Sequence, residues 1–166
     1  QPGRGDVLGC FSLLMGSFDM ALATDGQLCY GLALREPHHR TLYMTGQFIG
    51  DQAALHNALV SINDQIGLAT DGLFFYTIAS GDSRVRKFDL AGNYLGEQTA
   101  LMDSTGLVTN QIAIATDGAF FYTIASGDAR VRKFDFCGNF LGHVTIIGGG
   151  ATPFTSNTGI AVFIQR

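Results

Sequence analysis

Two sets of side chains in this sequence have the types and spacing to do chemistry. The first is a charged pattern that recurs. Asp82 precedes Arg84, Arg86 and Lys87; Asp128 precedes Arg130, Arg132 and Lys133; Glu36 precedes His38 and Arg40. Alternate residues of an extended strand share a face, and a row of guanidinium groups suits phosphates, acidic glycans or RNA. The recurring acids offer another use for the row, as ion pairs that stitch neighbouring units together. The net charge of −4 and a pI near 5.4 favour stitching, because sequence-independent nucleic-acid binders carry a basic excess. The second set is His38, His56 and Glu36, with His39 alongside. Zinc needs three or four converging ligands. These candidates crowd into one stretch, and a solvated histidine pair is the simpler expectation. Tyr76 and Tyr122 also recur, and packing with the hydroxyl at a rim suits them. No GxSxG and no DxDxDG-like loop is present, so no catalytic set and no cofactor is expected.

The elements that position these residues come from a repeat. "QIGLATDGLFFYTIASGDSRVRKFDLAGNYLGEQ" (65–98) and "QIAIATDGAFFYTIASGDARVRKFDFCGNFLGHV" (111–144) agree at 25 of 34 positions, 46 residues apart. A worn copy spans 21–50, with Thr24-Asp25-Gly26 on Thr70-Asp71-Gly72 and Tyr30 on Tyr76. "TGIAVFIQR" (158–166) begins a fourth. Each copy reads as four strands. Asp-Gly between apolar runs signals a tight turn, "LFFYTIA" is rich in aromatic and β-branched residues, and a further turn surrounds Gly92-Asn93. Four strands in 40-odd residues predict a β-propeller blade, which must stack on neighbours to bury its faces. Charged residues make up only 14% and apolar ones 46%, a globular composition. No apolar run is long enough for a membrane span. Three cysteines, Cys10, Cys29 and Cys137, show no metal spacing, and their odd number leaves at least one thiol free or paired between chains.

The repeat resembles the NHL family of propellers. The residues that carry the likeness are Gly159-Ile160-Ala161-Val162 for the first strand, Asp71-Gly72 for the first turn, and Arg84-Val85, Lys87-Phe88-Asp89 and Gly92 for the third strand and its turn. Arg130-Val131, Lys133-Phe134-Asp135 and Gly138 repeat the latter set. The likeness implies an all-β propeller. It also implies family functions that range from RNA binding to metal-dependent lyase or lactonase activity, for which His38, His56 and Glu36 are the candidates here. The sequence departs from the family at Ile78-Ala79-Ser80, where an acidic residue usually ends the second strand. It departs again in the first blade, which is expected to lose the family's third strand, with "HHRTLY" (38–43) in place of "RVRKFD".

In this register "RGDVLG" (4–9) falls on the turn glycines of later copies, so Arg4-Gly5-Asp6 reads as a worn turn and not as an adhesion signal. Residues 1–18 supply the outer strand of a partial blade, 19–64, 65–110 and 111–157 are blades, and 158–166 supply an inner strand. Three arrangements stay open: a piece of a longer propeller, several chains sharing one ring, or an open stack. An open end exposes apolar sheet and unpaired edges, so the chain is expected to associate. The expected function is a non-enzymatic binding or structural scaffold, extracellular or at the cell surface, with protein partners or further copies of itself. A metal-dependent lyase or lactonase is the alternative. Glycan or RNA binding on the polar loops at 80–84 and 126–130 is the third reading, and the candidate binding residues are Arg84, Arg86, Arg130, Arg132, Asp82, Asp128, Tyr76 and Tyr122.

Overall fold

The computed structural model describes residues 19–33, 38–43, 48–57, 60–61, 65–79, 81–146, 148–149, 152–153 and 160. The first sheet comprises β1 (Asp19–Thr24), β2 (Leu28–Ala33), β3 (His38–Tyr43) and β4 (Phe48–Ala54), and a small ladder of β5 (His56–Asn57) and β6 (Val60–Ser61) follows it. The second comprises β7 (Gln65–Thr70), β8 (Phe74–Ala79), β9 (Arg84–Asp89) and β10 (Tyr94–Ala100), followed by β11 (Met102–Asp103) and β12 (Gly106–Leu107). The third comprises β13 (Gln111–Thr116), β14 (Phe121–Ala125), β15 (Arg130–Phe134) and β16 (Phe140–Ile146), followed by β17 (Gly148–Gly149) and β18 (Thr152–Pro153). Strands are antiparallel and sequential within each sheet. "HHRTLY" lacks the third-strand motif but still forms β3, because its backbone pairs with β2 on one side and β4 on the other.

The sheets stack through their first strands, with β7 between β1 and β13. Burial explains the composition of those strands. All six residues of "QIGLAT" are buried, so the strand has two covered faces and shows no polar alternation. Leu22, Leu68, Ile114 and Ile160 follow one another at 46-residue steps and line a single narrow cavity of about 10 Å3, with the Ala-Thr pairs 23–24, 69–70 and 115–116. This cavity marks the axis.

Alternation appears one strand out. On the second sheet Phe75 and Phe88 face the first sheet and pack with Ala23, Tyr30, Leu32 and Leu55. Tyr76, Ile78 and Val85 face the third sheet and pack with Ile114, Phe121 and Phe134. Tyr30 meets Phe75 edge-on at 4.9 Å, and Tyr76 meets Phe121 at 5.2 Å. One aromatic contact is therefore copied at each junction. Gly138 has φ +88° and lies so close to Ala100 O that a Cβ there would overlap it; only glycine fits this approach. Cys29 is buried and disulfide-bonded, while Cys137 is free and exposed. Among the described residues no helix is long and apolar enough to cross a membrane. Arg4-Gly5-Asp6 and the 1–18 strand lie outside the described residues, as does all of 158–166 except Ile160.

Candidate functional site

The recurrent polar side chains gather at the two ends of each sheet. At the turn between the first and second strands, the Asp of Asp-Gly closes a local network. In the second blade Asp71 Oδ1 accepts the backbone N–H groups of Leu73 and Phe74 at 2.9 Å each, and Oδ2 accepts the Tyr76 hydroxyl at 2.8 Å. Thr70 Oγ1 donates to Phe74 O and accepts from the Gly72 N–H. The first blade repeats this with Asp25 and Tyr30, and the third with Asp117 and Tyr122. Burial pushes the Asp117 carboxyl up, but the bonds from Tyr122, Ala119 and Phe120 outweigh it and hold the group below its ordinary value. Burial and the neighbouring carboxylate push the Tyr122 hydroxyl up to about 12. Tyr76 and Tyr122 are thus fastened to turns, a role that the Asp/Tyr spacing of five residues, seen three times, could have signalled.

At the opposite end, the second-to-third strand connection carries the acid–base pattern. Arg86 donates to Asp82 at 2.8 Å and Arg132 to Asp128 at 2.7 Å. Arg130 donates to Asp128 through its Nε at 2.9 Å, while its own backbone N–H also binds that carboxylate. Asp82 likewise accepts the Arg84 N–H. These pairs lie within one blade, where the expectation was stitching between blades. The acid sits two or four residues before its partner, so a folded-back connection brings them together before any neighbour is reached. The bond from Arg130 is the first cause holding the Asp128 carboxyl below its ordinary value; burial opposes it, and further contacts to Arg130 and Arg132 add to it. Arg132 also reaches across electrostatically to Asp103 of the preceding blade. The Nη1 atoms of Arg86 and Arg132 are buried without a protein partner.

Arg84 and Arg130 are exposed at the strand starts, and Arg86 and Arg132 lie beneath them on the same strand face. Tyr76 lies on the other face of its sheet from Arg86, since it pairs with Lys87 while Thr77 pairs with Arg86. The eight proposed binding residues therefore form two separate sets at opposite ends of the sheets. His38 begins β3 opposite Ala54, and His56 lies in β5 opposite Ser61; Glu36 lies outside the described residues. Among the described residues no three His, Cys, Asp or Glu side chains are grouped to hold a metal. A buried pair that the sequence reading missed runs from Thr77 to Gln65 at 2.6 Å and recurs from Thr123 to Gln111 at 2.5 Å.

No protein-family model matches the chain, and no curated protein matches it significantly. Solved structures do. Myxococcus xanthus glutaminyl cyclase aligns with TM-score 0.61 and 18% identity, over 74% of this chain and 50% of its own. The nidogen/laminin complex aligns with TM-score 0.51 and 19% identity, over 76% and 48%. Kluyveromyces lactis Hsv2 aligns with TM-score 0.50 and 8% identity, over 75% and 35%. The chain thus spans about half or less of each, and the likeness extends to the fold. Sequential four-stranded sheets, an axis lined at 46-residue steps and these neighbours make the chain an all-β propeller whose described blades form an incomplete ring.

Proposed function

We propose that the chain is a non-catalytic propeller module of NHL type that serves as a binding or structural scaffold, extracellularly or at the cell surface. The observation that carries this reading is how the recurrent polar side chains are used. Asp25, Asp71 and Asp117 fasten turns and tyrosines, Asp82 and Asp128 fasten arginines, and Gln65 and Gln111 fasten buried threonines. Groups that recur in such bonds serve the blade itself. The disulfide at Cys29 suits an oxidising compartment. Nidogen, a fold neighbour, is complexed with laminin, so a protein-facing role lies within the range of the fold, although fold alone does not assign it. Protein partners, or further copies or segments of the same propeller, are the occupants this reading favours.

Native mass spectrometry at micromolar concentration tests it, with metal analysis of the same sample. Assemblies heavier than one chain and no stoichiometric metal are expected. A monomer that melts in one cooperative step, or one bound metal ion per chain, overturns the reading.

A further inference from the structure

We propose that the chain closes its own ring as a four-bladed propeller, with residues 158–166 and 1–18 together forming the fourth blade and a Cys10–Cys29 disulfide fastening that blade to the first. The interaction surfaces are the two end faces of the three-sheet stack. The partner that fits them is a pair of segments of the same chain.

Both end faces are covered. On the third blade, Phe121 and Phe134 face the second. Side chains alternate along a strand, so Ile124 and its cross-strand partner Val131 face away, as does Ala115 beside Ile114. At the end of an open stack these three would meet water. They are instead 0%, 6% and 5% exposed, and they belong to neither of the cores at the two described junctions. The first blade shows the same at the other end. Tyr30 and Leu32 face the second blade, so Cys29 faces away, yet it is 1% exposed.

Two observations identify the cover. Ile160 lines the axial cavity with Leu22, Leu68 and Ile114, which puts it fourth in the 46-residue series. The cavity is only about 10 Å3. A ring of more blades holds its inner strands further from the axis and widens the channel, so four apolar side chains meeting around so small a gap fit a ring of four. The second observation is covalent. Cys29 is disulfide-bonded and Cys137 is free. The chain has three cysteines, which leaves Cys10 as the other half. The bond therefore draws residues 1–18 onto the outward face of the first blade.

Closure bears on how copies meet, not on whether they do. The association expected of the scaffold then runs between whole rings, for which the exposed Ile49, Leu95 and Leu141, repeated at 46-residue steps, are available. A native mass tests that association and does not enter the readouts below, so either reading can fail alone.

Protein oxidised with glutathione disulfide, alkylated in denaturant and digested without reduction tests the proposal. Mass spectrometry should find Cys10 linked to Cys29, Cys137 alkylated, and an undigested denatured mass of one chain. An alkylated Cys29, or Cys29 linked to Cys137 or to another chain, overturns the proposal. Cys10→Ser should lower the melting temperature by roughly 5–10 °C; an unchanged value overturns the fastening. Ile160→Asp should speed amide exchange in β14 and β15 about tenfold or more, because it disturbs the strand that covers them. Unchanged exchange in a folded Ile160→Asp protein overturns the fourth blade. If that variant does not fold, the disulfide map of the unaltered protein still decides.

Discussion

In the second and third blades, an inner-strand glutamine accepts a bond from a threonine on the next strand, and all four residues are buried. In the first blade the matching positions hold Asp19 and Gly31. The Asp–Tyr–Thr network at the first turn is present in all three. The first blade nevertheless forms the same four-stranded sheet. The contrast separates two jobs. The turn network sets how the first strand folds back on the second, and every blade needs it. The Gln–Thr bond satisfies polar groups that two blades have chosen to bury, and it belongs to their stability, not to their topology.

The largest effect expected is on the shared core. Phe88→Ala and Phe134→Ala each remove a fully buried ring, at a cost of about 3–5 kcal/mol in urea unfolding. Comparable losses at both sites would mean the junctions are equivalent; a much smaller loss at Phe88 would mark the first junction as the looser. Thr123→Val strands the Gln111 carbonyl in the interior and should cost about 1–3 kcal/mol, as should Thr77→Val. If either is neutral by the same measurement, the bond is not what distinguishes the later blades.

Tyr122→Phe should cost about 1 kcal/mol, and it also tests the pH profile. The Asp25 and Asp117 carboxyls are held below their ordinary value of 3.8. Their stabilisation is complete above that value and is lost as pH falls through the folded one. Tyr122 is the opposite case: the fold resists its ionisation up to about 12, so stability declines once pH passes 10.0, where the unfolded chain begins to ionise. Melting temperature against pH should fall on both sides, and Tyr122→Phe should lessen the alkaline fall. An unchanged alkaline limb would count against the Asp117–Tyr122 bond. The smallest effect is expected for Arg130→Ala, since exposed ion pairs contribute little. Its melting curve should overlay that of the parent, whereas Arg132→Ala, which removes a half-buried partner of Asp128, should lower the melting point.

The propeller was legible because its 46-residue step and Asp-Gly turns are local chemistry, written in adjacent residues. The third strand of the first blade was not, since "HHRTLY" forms β3 through backbone pairing that no side-chain motif announces. The arginine pattern was visible, but its partners were placed in the neighbouring blade, because spacing alone does not say which way a connection folds. The solved neighbours speak only for the wider propeller fold. The packed cluster of Tyr76, Phe121 and Phe136 joins residues up to 60 positions apart. It exists only once two sheets are stacked, so no window of sequence could show it.

The four residues around the axis, Leu22, Leu68, Ile114 and Ile160, fall at identical intervals and line one cavity. A blade in this arrangement packs on its neighbours, and the same Tyr–Phe contact recurs from the first junction to the second. Gene duplication can therefore lengthen such a molecule by whole blades without inventing a new contact. The near identity of the second and third copies is what a recent event of that kind would leave behind.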